Sequence, residues 1–248
     1  MKKLVLLPLF LLTTYLLEAQ IVNIENERIK GDKAGWAGQL GINFSMTKNE
    51  SLLIATNTSA HIQYKNERHL WLILGETGFT QIDSEDFSNF AFGHLRHNVK
   101  LNEWLRWEAF SQAQFNKIAR LDLRTLIGTG PRFKLSKSEK FRFYLGTLVM
   151  YEYEDETEGA THRDFRMSDY LSFTIQPGDI LKFIGTIYYQ PKLEKIADYR
   201  ISSEVTLAFK ITKNLSFTSA YRLFFDSYPA LGAPDTFYAW TNGLKFSF

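Results

Sequence analysis

The sequence contains no cysteine, so no disulfide bond can hold the fold. Only six prolines occur in 248 residues, which leaves long segments free to pair as β-strands. The formal net charge is only +2, which argues against a nucleic-acid-binding surface. Beyond residue 17, no apolar run reaches the roughly 20 residues that a transmembrane helix needs. These absences exclude a disulfide-stapled domain and a helical membrane protein, and they argue against a nucleic-acid-binding protein.

The first residues have the pattern of a secretory signal peptide. Lys2 and Lys3 precede an uncharged apolar run from residue 4 to residue 17, and Ala19 offers a small residue for cleavage. The apolar run is short for a permanent membrane anchor. We place the cleavage after Ala19, although Leu17 is larger than the residue usual at that position. The prediction is a signal peptide at 1–19, a periplasmic segment at 20–33 and one domain at 34–248.

Most of that domain alternates apolar and polar side chains over ten or more residues. Between 36 and 47, for example, Trp36, Leu40 and Ile42 stand on the even positions, and Gln39 and Asn43 on the odd ones. Successive strand side chains point to opposite faces, so this pattern predicts strands with one apolar and one polar face. Similar segments lie at 52–64, 105–116, 120–133, 141–154, 198–211 and 238–248, with weaker ones at 69–80, 89–101, 165–176, 180–191 and 214–226. The register of 69–80 stays open, because this segment begins apolar on both faces.

The connections between these segments predict a barrel. Short turns at 65–68, 101–103, 136–140, 176–179 and 212–214 alternate with outer connections at 47–50, 81–88, 115–119, 155–164, 191–197 and 227–235. Short periplasmic turns and longer outer loops are typical of outer-membrane barrels. We predict an all-β fold, an antiparallel transmembrane β-barrel of about 12 strands. Ten or fourteen strands would need segments to be merged or split.

The same alternation also suits a periplasmic β-sandwich or a lipocalin-like ligand-binding barrel, in which the apolar row would face inward. Strand length favours the membrane, because strands of soluble proteins are commonly about 5–6 residues long. Aromatic residues near the ends of the apolar rows favour it too, since membrane barrels carry aromatic girdles at both interfaces. These residues are Trp36, Tyr64, Tyr151, Tyr153, Tyr199 and Tyr238.

Several segments carry a family resemblance. The stretches FAFGHLRHN at 90–98, 108–130, YYQPKLEKIADYRIS at 188–202 and the closing strand resemble the family of salt-induced outer-membrane proteins, which carries a domain of unknown function. The closing strand also looks like the terminal signal that barrel-assembly machinery reads; its row is Tyr238, Trp240, Leu244, Phe246 and Phe248. The resemblance implies a barrel in the cell outer membrane, with membrane lipids and that machinery as partners. It implies no catalytic residue.

The polar rows supply candidates for the barrel interior. The lumen-facing candidates are Arg96, Glu108, Gln112, Gln114, Arg120, Asp122, Arg124, Asp198, Arg200, Glu204, Arg222 and Asp226. We expect two groups, one joining Glu108 to residues 120–124 and one joining residues 198–204 to 222–226. A mixture of signs allows a packed network of ion pairs. It also allows a narrow passage for ions or small solutes, whose arginine-rich wall would favour anions.

No residue pattern points to an enzyme, a cofactor or a metal. The outward serines Ser111, Ser203 and Ser219 have no base and orienting group beside them, as nucleophilic catalysis requires. The five histidines lack metal-ligand spacing, and the acidic residues between 152 and 158 match no calcium-loop pattern. The prediction is therefore a barrel without catalytic activity, either a narrow porin-like channel or salt-stress protein, or a plugged structural barrel.

Overall fold

The computed structural model describes residues 34–48, 50–83, 85–136, 138, 140–213 and 215–246. The predicted signal peptide, the segment 20–33 and Phe248 lie outside the described residues. Twelve antiparallel strands form one sheet in chain order, which confirms the predicted fold class and strand count. The strands are β1 (Gly35–Lys48), β2 (Leu52–Lys65), β3 (His69–Ile82), β4 (Glu85–Lys100), β5 (Leu105–Asn116), β6 (Leu121–Lys134), β7 (Phe141–Glu156), β8 (Thr161–Ile175), β9 (Leu181–Pro191), β10 (Tyr199–Lys210), β11 (Leu215–Asp226) and β12 (Thr236–Phe246).

The two ends of the sheet differ in their connections. The turn end, where β1 begins, carries the connections around 66–68, 101–104, 135–140, 176–180 and 211–214. The loop end carries the other six, of which 192–198 and 227–235 are the longest. The predicted outer loops at 81–88 and 155–164 are wrong in extent. Strand pairing continues to Ile82 and from Glu85 in the first case, and to Glu156 and from Thr161 in the second, so each connection is short.

The alternation separates an inward polar face from an outward apolar face. On β5, Glu108, Phe110, Gln112 and Gln114 are buried, whereas Trp107 on the other face is exposed. Exposed apolar side chains recur on the outward face of strand after strand, as in the membrane-facing belt of a barrel. The described residues include no helix long and apolar enough to cross a membrane, an observation that does not bear on strands.

The segment with the open register turns an apolar row inward. On β3, Leu70, Leu72 and Leu74 are buried, while Trp71 and Ile73 are exposed on the outer face. Leu72 and Leu74 pack with Phe92 of β4 into a small hydrophobic cluster. The interior is therefore not polar throughout, and packing against a neighbouring strand decides the register here.

Curvature brings distant strands together across the interior. The Tyr170 hydroxyl of β8 donates a hydrogen bond to Glu108 of β5 at 2.5 Å. Three strand spacings separate β5 from β8, which would be about 14 Å in a flat sheet. Arg200 of β10 likewise contacts Glu152 of β7. In the described part of the chain, β1 pairs only with β2 and β12 only with β11.

Two glycines allow close packing in the interior. A Cβ atom on Gly130 of β6 would lie 2.3 Å from the Thr147 carbonyl oxygen and 2.7 Å from Leu148 Cα of β7. A Cβ atom on Gly146 would lie 2.1 Å from the ring of Tyr170. Glycine at these positions therefore allows β6 and β7 to approach closely and seats Tyr170 over β7.

Candidate functional site

The interior contains two separate ion-pair networks. We call the one around Glu108 the turn-end network and the one around Glu152 and Arg200 the loop-end network. Glu108 pairs with Gly130 on β6, whereas Arg124 lies six residues farther along that strand. At about 3.3 Å per residue, this is a separation of about 20 Å. The expected group joining Glu108 to residues 120–124 is therefore wrong.

The turn-end network is built on one buried carboxylate. Glu108 accepts hydrogen bonds from Arg96 Nη1 at 2.9 Å, Asn98 Nδ2 at 2.7 Å and the Tyr170 hydroxyl. Arg132 Nη1 adds a contact at 3.3 Å. Arg96, Asn98 and Arg132 come from β4 and β6, the two neighbours of β5, and only Tyr170 crosses the interior. A buried carboxylate needs such partners, because an unpaired buried charge is strongly unfavourable.

The loop-end network is centred on an arginine with three carboxylate partners. Arg200 reaches Glu152 Oε1 through Nη1 at 2.6 Å, Glu154 Oε1 through Nη2 at 3.0 Å and Asp226 Oδ2 through Nε at 2.6 Å. Asp226 stands directly opposite Arg200 in the β10–β11 register, whereas the two glutamates belong to β7.

Two further arginines complete the loop-end network. Arg124 Nε contacts Glu152 Oε1 at 2.6 Å, and Arg166 Nε contacts Glu152 Oε2. Arg166 Nη2 also contacts Asp198 Oδ1 at 2.8 Å. Glu152 is thus held by three arginines from β6, β8 and β10, so four strands are tied together by one carboxylate.

Between the networks, the interior is packed with mixed side chains. An apolar cluster joins β5 to β9; its members are Phe110, Leu126, Leu148, Met150, Tyr170 and Tyr188. Beside it, His94 Nδ1 and Gln112 Oε1 are 3.0 Å apart, and Gln112 donates to Gln114 at 2.7 Å. A cavity of roughly one water molecule in size adjoins them. The wall from β4 to β10 is therefore largely filled.

The opposite wall carries accessible polar side chains that are uncharged. On the inward faces of β1, β2 and β12, small polar side chains are exposed: Gln39, Asn43, Thr47, Ser59 and Thr241. We call these five residues the uncharged wall. A polar face on strands whose other face is apolar requires contact with water or protein, because lipid cannot satisfy its hydrogen bonds.

The structure distributes the sequence candidates over five places. Arg96 and Glu108 lie in the turn-end network, and Gln112 and Gln114 lie between the two networks. Arg124, Asp198, Arg200 and Asp226 lie in the loop-end network. Glu204 and Arg222 form an ion pair of their own at 3.1 Å between β10 and β11.

Arg120 and Asp122 occupy the fifth place, the rim of the loop end, and not the lumen. Arg120 has a positive φ of 51° and pairs with Glu158. Asp122 accepts a hydrogen bond from Thr157 at 2.7 Å. A register irregularity between Leu121 and Leu123 interrupts the alternation at this point, so the even-numbered row no longer points inward.

Several network residues were not among the sequence candidates: Asn98, Arg132, Glu152, Glu154, Arg166 and Tyr170. Glu152 and Glu154 stand on the polar row of β7, but the acidic run that follows them suggested a solvated loop. Tyr170 is an aromatic residue on a polar row, and nothing local indicates that its hydroxyl meets Glu108, 62 residues away. The alternation of β8 could have indicated Arg166, whose partner Glu152 lies on the adjacent strand β7.

The closing strand carries its expected row on the outer face. Tyr238, Trp240 and Leu244 are all exposed there, and Phe246 ends β12. Phe248 lies outside the described residues. Within the described ranges, no group of three or more histidine, aspartate or glutamate side chains is arranged to hold a metal ion.

A twelve-stranded antiparallel sheet with an apolar outer face and a charged interior defines the class of antiparallel transmembrane β-barrels. The family model described as "Protein of unknown function, DUF481" matches residues 38–248, and the chain belongs to that family. No curated protein matches the chain.

Three solved structures are similar to this chain. The NanC porin shares 11% identity over 85% of this chain and 99% of its own, with a TM-score of 0.50. The KdgM porin in complex with disordered oligogalacturonate shares 12% identity over 86% of this chain and 99% of its own, with a TM-score of 0.44. A bacterial polysaccharide outer membrane secretin shares 8% identity over 86% of this chain and 91% of its own, with a TM-score of 0.46. At such identities, the likeness to NanC concerns the fold alone.

Proposed function

We propose that this protein is a narrow outer-membrane pore for small hydrophilic solutes. The observation that carries the proposal is the uneven interior, in which a wall filled by ion pairs faces an uncharged wall of exposed small side chains. Barrels of eight strands are filled by side chains and barrels of sixteen hold a channel, so twelve strands leave intermediate space. A filled wall on one side leaves an off-centre passage along β12, β1 and β2.

The proposed location is the outer membrane, reached by export through the signal peptide at 1–19, with the turn end in the periplasm. The outward faces of β1 and β12 support membrane insertion, because Trp36, Leu40, Ile42, Tyr238 and Trp240 are each at least 68% exposed. Apolar surface of this extent needs lipid to cover it. We further propose that barrel-assembly machinery recognises the outward row of β12.

Single-channel recordings of refolded protein in planar bilayers test the pore. Asn43→Trp places a large side chain on the uncharged wall, and we expect it to lower conductance by about half or more, because a wider side chain narrows the passage. Ile42→Trp is the matched control: it adds a tryptophan to the lipid-facing side of the same strand and should leave conductance unchanged.

Folding must be checked in parallel, by the faster migration of unboiled protein on a denaturing gel. The pore proposal fails if folded wild-type protein gives no conductance steps. It also fails if Asn43→Trp and Ile42→Trp conduct alike.

The burial of the networks favours a second candidate, a plugged barrel that maintains the envelope at high salt. Glu108 and Glu152 are 0% and 1% exposed, and buried ion pairs are screened by salt much less than exposed ones. Such a barrel would keep its stability as ionic strength rises. Deletion of the gene tests this role: unchanged growth of the deletion strain at high salt would contradict it.

A further inference from the structure

The turn end of the interior collects four basic side chains, of which only Arg132 also contacts Glu108. Arg106 of β5, Arg132 of β6, Arg142 of β7 and Lys182 of β9 all lie on inward-facing positions near the turns. Tyr144 lies among them: the guanidinium carbon of Arg132 is 4.0 Å from its ring centre and that of Arg106 is 5.3 Å away. We call these four cations the basic mouth.

The sheet register brings the cations of the basic mouth close to one another. Arg106 and Arg132 are direct partners in the β5–β6 pairing, an arrangement that is unfavourable for like charges. Thr174, the partner of Arg142, pairs in turn with Ile184, and Lys182 lies two residues nearer the turn end. Arg142 is close enough to Lys182 to repel it electrostatically.

Carboxylates do not balance this charge in the part of the chain that is described. Arg106, Arg142 and Lys182 make no ion pair there, and Arg106 Nη1 is buried without a hydrogen-bond partner. Glu108, the nearby interior carboxylate, already holds Arg96 and Arg132. Glu103 at the rim is 90% exposed and pairs with Lys100.

The arginines of the loop-end network, by contrast, are paired with carboxylates. Its three arginines, Arg124, Arg166 and Arg200, each contact at least two carboxylates. Within the described residues, the barrel therefore pairs its arginines with carboxylates at the loop end and leaves Arg106, Arg142 and Lys182 without a carboxylate partner at the turn end. Cation–π contacts with Tyr144 hold two guanidinium groups in place but supply no negative charge.

We propose that the basic mouth binds a compact oxyanion, such as the phosphate or pyrophosphate group of a soluble solute, at the turn end of the barrel. Guanidinium groups present paired N–H donors that match two oxygens of such a group, and an ammonium adds a point charge. An anion between Arg106, Arg142 and Lys182 relieves the repulsion among them. This site goes beyond the proposed pore, because it binds whether or not the barrel conducts.

Isothermal titration of refolded, detergent-solubilised protein with inorganic pyrophosphate, and separately with phosphate, tests the site. We expect saturable binding that weakens about tenfold or more in the double variant Arg142→Gln/Lys182→Gln, because two of the charges are lost. The matched control is Lys140→Gln/Lys213→Gln, which removes two exposed charges from the same end and should change affinity by less than about twofold, because exposed charges are screened.

A second variant separates binding from folding. Arg106→Lys keeps the charge but loses the paired donors, so it should fold like the wild type, migrate faster when unboiled, and still bind pyrophosphate more weakly. Equal weakening in the two double variants would overturn the site in favour of diffuse electrostatics. Absence of saturable heat with both anions would overturn it as well.

The source of the anion is tested with a soluble short-chain phosphatidic acid. If the inorganic anions bind and the lipid binds no more tightly than they do, the result supports a site for soluble solutes inside the barrel. Binding of the lipid alone would overturn it, because an interior site cannot depend on acyl chains. A protein that binds pyrophosphate without conducting would contradict the pore and retain the site.

Discussion

At the scale of single residues, Glu108 shows how the interior accommodates charge. It is completely buried, yet Arg96, Asn98, Arg132 and Tyr170 surround its two carboxylate oxygens. Replacing such a pair by apolar groups can be neutral, whereas removing one partner leaves the others uncompensated. The stability of this region therefore depends on keeping the set complete.

Glu108→Gln should lower the free energy of unfolding by about 3–5 kcal/mol, because Arg96 and Arg132 lose their shared counter-charge while staying buried. Urea unfolding of the refolded protein in lipid vesicles measures the change. Glu103→Gln, at the exposed rim of the same end, is the control and should unfold at the wild-type urea concentration. Identical midpoints for Glu108→Gln and wild type would show that the turn-end network does not stabilise the barrel.

At the scale of strands, the close contact between β6 and β7 depends on a glycine, which has no side chain. Gly130 faces the backbone of Thr147 and Leu148, which cannot move aside as a flexible side chain could. Both strands also carry members of the loop-end network, Arg124 and Glu152. Their spacing at Gly130 therefore affects how the network residues farther along the strands meet.

Gly130→Ala should destabilise the barrel by about 1–3 kcal/mol, since an extra methyl group in a packed interior forces backbone shifts. Gly93→Ala is a matched control on β4, because a Cβ atom there meets nothing within 4 Å. Thermal unfolding followed by the loss of the fast-migrating gel band compares the two variants. Equal unfolding temperatures for both variants would contradict the close approach of β6 and β7.

At the scale of the whole molecule, the question to test is whether the two edge strands of the sheet, β1 and β12, pair with each other. In the described residues β1 and β12 each pair on one side only. An open edge in lipid leaves unsatisfied backbone groups that cost several kcal/mol each, so we expect these strands to meet in the membrane. The absence of native cysteine makes thiol cross-linking a clean measurement of this contact.

Gly41→Cys on β1 should cross-link to a cysteine placed at residue 239, 241 or 243 of β12 when membrane-inserted protein is treated with a short thiol-specific cross-linker. The control is Thr218→Cys with Gly243→Cys, which are register partners between β11 and β12. An efficient control cross-link without any cross-link to residue 41 would mean that the barrel stays open between β1 and β12.

The sequence by itself determined the twelve strands, their two faces and the polar interior, because strand alternation is a local property with a period of two residues. Gln112 and Arg200 could be assigned to the inner face in this way. Alternation failed where local geometry changed, as at the irregularity beside Asp122 and on the apolar inner row of β3.

Only the tertiary structure decided which interior residues meet. Glu108 and Tyr170 lie 62 residues apart, and Arg200 and Glu152 lie 48 apart. Their contacts depend on the register of several successive strand pairs and on the curvature that folds the sheet across its own interior. The contrast between paired arginines at the loop end and the described cations Arg106, Arg142 and Lys182, which have no carboxylate partner, depends on the same two properties, which is why no local pattern predicted it.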